Sequence, residues 1–184
     1  SSDISADWTA YPIVNVPYVS ADYEFEIAKI DDMDRTARDA EFTVYSDSAC
    51  TNVIGTMTDT SNDGIYSFSG SFADDLRSNA DDQTLTLYVR ETVAADQILY
   101  DGSWIDVECE LDDTVYTVVI TWNPSTGAMS ATWEGDREAT SSRDNSSLFS
   151  SITADWTDEP IVNVVLTSGS LTIEKQDDQT GEAL

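Results

Sequence analysis

The stretch Tyr23-Glu24-Phe25-Glu26-Ile27-Ala28-Lys29 constrains this chain more than any other. Its apolar residues recur with period two, the period of a strand that is half-buried against a core. Tyr23, Phe25 and Ile27 share one face, and Lys29 falls on that same face. A buried ammonium without a partner is strongly disfavoured. The chain holds only two lysines, and the second repeats the placement, with Leu171, Ile173 and Lys175 on one face of 170–175. A chain that has almost dispensed with lysine keeps it at inward strand positions. Lys29 therefore reads as a reactant rather than a surface charge.

The same alternation recurs along the chain. Ala40 to Tyr45, 53–58, 65–68, Leu85 to Thr92, Trp104 to Leu111, Tyr116 to Trp122, Met129 to Trp133 and Ile161 to Val165 read as strands. Ser61-Asn62-Asp63-Gly64 and Asn123-Pro124-Ser125-Thr126-Gly127 read as turns. Residues 31–39, 73–83, 93–103 and 134–147 read as polar connections. The carboxylates of 31–39 lack the spacing of a calcium loop and read as a solvated turn, so no metal site is expected. No helical period of useful length appears. The pattern predicts an all-β fold, an Ig-like or prealbumin-like β-sandwich of antiparallel strands.

Composition narrows the function. With 36 acidic and 8 basic residues the formal net charge is -28, which argues against nucleic acid and anionic membranes as partners. A hydrophobic content of 40% is ordinary for a folded chain, so the acidity does not imply disorder. No run of 18 apolar residues exists to span a membrane. Histidine is absent, which removes the usual general base and the commonest metal ligand. A conventional turnover enzyme is disfavoured, and no cofactor is expected. Cys50 and Cys109 are too few for a disulfide framework; they form either one disulfide or two buried thiols.

A long repeat organises the chain. The pattern A-D-W-T-x-x-P-I-V-N-V occurs at Ala6 to Val16 and again at Ala154 to Val164. Asn163 follows Asn15 by 148 residues and Lys175 follows Lys29 by 146. This spacing predicts tandem repeats: 1–17 as the last strand of a preceding unit, 18–166 as a complete unit, and 167–184 as the first strand of the next. Asn15 and Lys175 would then be crosslinking residues of the neighbouring units.

Three polar side chains lie on otherwise apolar strand faces. Lys29 joins Tyr23, Phe25 and Ile27; Glu91 joins Leu85, Leu87 and Val89; Asn163 joins Ile161 and Val165. Burial disfavours the charged form of an amine or a carboxyl alike. A neutral amine is a nucleophile, and a protonated carboxyl can donate a hydrogen bond and shuttle protons. These parts suffice for an amide exchange. The Lys29 amine attacks the Asn163 side-chain carbonyl, Glu91 polarises that carbonyl and moves protons, and ammonia leaves. The product is a Lys29–Asn163 isopeptide bond, formed once. The competing reading is a plain buried salt bridge between Lys29 and Glu91, with no covalent step.

At this point the chain resembles a known family, the Cna protein B-type (SpaA-like, prealbumin-like) domains of Gram-positive surface adhesins and pilins. Ile27-Ala28-Lys29-Ile30-Asp31 resembles the family's first-strand lysine motif. Ala40-Glu41-Phe42-Thr43-Val44-Tyr45 resembles its second strand, with Asp39 where glycine is usual. Asp63-Gly64-Ile65-Tyr66-Ser67-Phe68 and Tyr88-Val89-Arg90-Glu91-Thr92 resemble two further motifs, and Ile161-Val162-Asn163-Val164 resembles the last strand with its asparagine. Residues 104–150 depart from the pattern, being longer than the compact family form.

The resemblance implies a sandwich crosslinked Lys29 to Asn163 with Glu91 as the catalytic acid. It also implies an extracellular, cell-wall-anchored surface protein, with neighbouring repeats or other copies in a fibre as partners. Two alternatives remain open. One is an adhesin module binding a host glycan or matrix protein through aromatics or through 134–147. The other is a filament joined by exchange of terminal strands between Lys175 and Asn15. Most of the five tryptophans are expected in core or interdomain packing.

Overall fold

Alternating segments need partners for their backbone N–H and C=O groups, and here they find them in three sheets. The computed structural model describes residues 18–75, 83–124, 126–134, 137–138, 140–145 and 149–167. The strands in chain order are β1 (Tyr18–Asp31), β2 (Ala37–Arg38), β3 (Glu41–Tyr45), β4 (Val53–Thr56) and β5 (Ile65–Asp75). There follow β6 (Gln83–Val93), β7 (Gln97–Tyr100), β8 (Ser103–Asp106), β9 (Val115–Asn123) and β10 (Ala128–Trp133). The last are β11 (Arg137–Glu138), β12 (Thr140–Asn145) and β13 (Phe149–Asn163).

The four-stranded sheet runs β12-β13-β1-β5, the six-stranded sheet β11-β10-β9-β6-β3-β4, and the small sheet β2-β7-β8. The chain is thus an all-β sandwich. Aromatic contacts cross between the large sheets: Phe42 of β3 meets Tyr66 of β5, Phe72 of β5 meets Trp122 of β9, and Trp133 of β10 stacks on Trp156 of β13. Trp122, Trp133 and Trp156 are buried, as core packing requires. Trp8, Asn15 and the first copy of the repeated motif lie outside the described residues, as do Lys175 and 168–184.

Several sequence expectations are corrected. The strands are not all antiparallel: β1 and β13, the first and last of the sandwich, lie side by side and run parallel. The intervening chain is long enough for such a return. Residues 134–147 are not simply a loop, because β11 pairs with β10 and β12 pairs with the first half of β13. Their Ser-rich, charged sequence suits strands at sheet edges, which need no alternating apolar face. The connection 93–103 contains β7, which turns into β8 at Asp101-Gly102 with φ of 48° and 77°, a two-residue hairpin of the kind Asp-Gly favours. The strand read over Trp104 to Leu111 ends at Asp106, and beyond it Cys109 makes a single bridge to Val165. Asp39 has φ 62°, so the backbone that glycine would supply is retained with an aspartate.

The last strand is longer than its alternation suggests, and the reason is a bulge. Ile27 is level with Trp156 and Lys29 with Ile161, so two residues of β1 are matched by five of β13. Pro160 lies inside the irregular stretch, where its missing N–H costs no ladder bond. An odd number of extra residues exchanges the faces of a strand. Before the bulge Ile152, Ala154 and Trp156 point inward; after it Ile161 and Asn163 do. The bulge therefore puts Asn163 into the core.

Deleting Glu159 leaves an even number of extra residues and turns Ile161 and Asn163 outward. The deletion is expected to cost about 2–5 kcal/mol, the scale of losing a buried aliphatic side chain, in denaturant unfolding. Unchanged stability would contradict this account of the bulge.

Candidate functional site

Strand β1 carries Lys29 to the end of the core. Its backbone N–H donates to the Gly64 carbonyl at 2.8 Å. Gly64 has φ 84°, and a Cβ there would stand 2.6 Å from the Ala37 carbonyl oxygen, so glycine is required for this approach. The Lys29 side chain is fully buried and points from one large sheet toward the other. Strand β6 supplies Glu91 in phase with Leu87 and Val89, and it too is fully buried. Strand β13 supplies Asn163, level with Asp31 and 1% exposed. The structure thus brings together the three side chains that the alternation singles out.

One carboxylate joins the other two groups. Lys29 Nζ lies 3.0 Å from Glu91 Oε1, and Asn163 Nδ2 donates to Glu91 Oε2 at 2.7 Å. Nδ2 donates its second hydrogen to the Glu110 carbonyl at 2.9 Å. Asn163 Oδ1 accepts the backbone N–H of Ala95 at 2.9 Å, and Glu91 Oε2 also accepts the N–H of Asp112 at 2.7 Å. Glu91 thus faces the nitrogen of the amide, while the carbonyl oxygen faces a backbone donor.

An ammonium has three donors to place. Among the described residues Nζ has only the Glu91 carboxylate as a polar partner, with the Phe42 ring centroid 5.8 Å away. Burial pushes the Lys29 pKa below its ordinary value, and the negative charge of Glu91, with a smaller push from Asp112, opposes this without reversing it. The amine is drawn toward its neutral, nucleophilic form.

Sequence reasoning misses four contributors. Ala95 and Asp112 act through backbone N–H groups and Glu110 through its carbonyl, which any residue type would supply, so composition carries no signal for them. The fourth is Asp31, which the alternation does place on the Lys29 face but which reads as the first residue of a solvated turn. Asp31 is buried and accepts from Met33 N–H at 3.0 Å, Arg35 N–H at 2.8 Å and Arg35 Nε at 2.6 Å, and it also pairs with Arg35 Nη2. It ties off β1 just after Lys29.

The cysteines are free and half-buried. Cys50 sits in the β3–β4 turn with φ 53°, at the outer edge of the six-stranded sheet, and Cys109 lies beside Val165. Trp104 is covered on one side by the Arg38 guanidinium, 4.2 Å from the ring centroid.

No family model matches the sequence, and no curated protein does. Among solved structures, the chain is similar to the C-terminal fragment of the pilus adhesin SpaC from Lactobacillus rhamnosus GG. The identity is 16%, the TM-score is 0.30, and the match covers 84% of this chain and 48% of that one. The chain spans about half the length of that neighbour.

The Asp31 turn gives a pH prediction. Burial alone would raise the Asp31 pKa, but its hydrogen bonds from Arg35 and Met33 outweigh that and hold it below the ordinary 3.8. A carboxyl lowered on folding contributes stability that is present above its unfolded pKa and is lost as pH falls through the folded value. Asp31→Asn should cost about 1–3 kcal/mol at neutral pH, and the difference from the parent should shrink below about pH 4. Unfolding curves of both proteins across that range check it.

Proposed function

We propose that this chain is a structural module of an extracellular adhesin or fibre stalk, whose first and last strands are joined by an autocatalytic Lys29–Asn163 isopeptide bond promoted by Glu91. The observation that carries the reading is the single buried carboxylate set between the amine and the amide. The reaction starts from neutral amine and protonated carboxyl, reached by moving one proton across the 3.0 Å contact between Lys29 and Glu91. Nζ adds to the Asn163 carbonyl carbon, and the π pair moves to Oδ1. Glu91 protonates Nδ2, which faces it, and takes the surplus proton from Nζ. The oxyanion collapses, the bond to Nδ2 breaks, ammonia leaves, and Glu91 ends protonated as it began. Proximity in a dry site supplies much of the acceleration.

Parallel pairing of β1 and β13 gives the bond a mechanical use. Load entering at the start of β1 passes to Lys29, crosses to Asn163 and leaves along the chain that follows. Residues 30–162 carry none of it. Closing a loop of this length is worth about 4–5 kcal/mol in the loop-entropy account of crosslinks. The doubled A-D-W-T-x-x-P-I-V-N-V motif supports neighbouring repeats of the same protein as partners. It also supports a second reading, in which exchange of terminal strands links copies through Lys175 and Asn15.

The test is the intact mass of the denatured, reduced protein. The parent chain should be one ammonia lighter than its sequence. Lys29→Ala, Asn163→Ala and Glu91→Gln should each have full sequence mass and unfold at least about 4 kcal/mol more easily. Full mass in the parent would reduce the site to a buried ion pair. A ladder of linked chains would favour the exchange reading.

A further inference from the structure

Both oxygens of Glu91 are committed: Oε1 faces Lys29 Nζ, and Oε2 faces Asn163 Nδ2 and the Asp112 N–H. Neither is turned to Asn163 Oδ1, yet that atom gathers the negative charge when an amine adds to the carbonyl carbon. We propose that the backbone N–H of Ala95 is the oxyanion donor of the crosslinking reaction. This rests on the crosslinking reading and names a catalytic group that the alternation of side chains does not reveal.

The placement follows from the local fold. Strand β6 ends at Val93, and the chain leaves the six-stranded sheet there. The turn that follows is held by backbone hydrogen bonds: Asp96 N–H to the Arg38 carbonyl at 3.3 Å, Val107 N–H to the Asp96 carbonyl at 2.8 Å, and Leu99 N–H to the Thr36 carbonyl at 2.8 Å. Ala95 itself is 1% exposed, and its N–H goes to Asn163 Oδ1 at 2.9 Å instead of to a strand neighbour. A buried N–H fixed before reaction stabilises developing charge without reorganising.

The amide's surroundings also fix its orientation. Nδ2 meets two acceptors, Glu91 Oε2 and the Glu110 carbonyl, and Oδ1 meets one donor. Turning the amide over would set oxygen against two acceptors and NH₂ against an N–H. The network selects the orientation that reaction needs, with the leaving nitrogen at the acid and the oxygen at the donor. As Nζ adds, the C–O π pair becomes an oxyanion held by Ala95 N–H; on collapse it returns to the carbonyl as ammonia departs. The N–H gives up no proton at any step.

The test is the rate of ammonia loss in the full chain, followed by intact mass during cell-free synthesis. Replacing Ala95 by its α-hydroxy acid analogue turns the 94–95 amide into an ester, with an oxygen where the N–H stood. Loss of one such donor should slow crosslinking about 10²–10³-fold, with the shape of the pH–rate profile unchanged because the donor does not titrate. An ester chain that crosslinks at the parent rate overturns the proposal while leaving the crosslink intact. A parent chain that never loses ammonia overturns the crosslinking reading and this one with it. If the ester chain fails to fold, amide exchange decides: Ala95 should lose protection in full-length Asn163→Ala, and unchanged protection overturns the proposal.

Discussion

The structure turns on a lysine ammonium and a glutamate carboxylate held 3.0 Å apart with no exposure to water. Taking two charges out of water costs several kcal/mol for each, and their attraction offsets this only when every remaining donor and acceptor is satisfied. Here the amine has a single polar partner among the described residues. Removing either group alone would strand the other, at a cost of about 3–5 kcal/mol. The site is therefore costly as an ion pair. The proposed conversion of amine and carboxamide into a secondary amide would replace a buried ammonium with a neutral group and discard a small, soluble molecule.

The rest of the fold serves to assemble that site from distant parts of the chain. Lys29 comes from the first strand of one sheet and Glu91 from the middle of the other. Asn163 comes from the last strand, turned inward by the bulge at 157–160. The small sheet lies beside the site: Ala37 and Ile98 are buried in the core, and the turn leading into β7 carries Ala95 to the carboxamide. The connection between β8 and β9 brings the Glu110 carbonyl and the Asp112 N–H. Asp112 is itself anchored by Tyr116, whose hydroxyl donates to it and whose pKa burial pushes up.

Much of this was legible in the sequence because burial imposes period two on a strand. Lys29 and Glu91 could be found because each continues a run of inward apolar residues without a break in phase. The last strand shows where that logic fails. Its two halves alternate correctly but out of phase, and only pairing with β1 reveals the bulge that joins them. Edge strands β11 and β12 carry no apolar face and so no period. The parallel pairing of β1 with β13 depends on where the chain returns, which local pattern does not encode. Backbone donors have no residue type, so the amide of Ala95 was invisible until its partner was seen.

The central claim is that Lys29 and Asn163 become one covalent unit. The most direct measurement is tandem mass spectrometry of the digested, fully denatured protein. The account predicts a branched peptide in which the Lys29 side chain is acylated by the Asn163 side chain, with fragment ions reading both arms. Recovery of the two peptides as separate, unmodified species would contradict it.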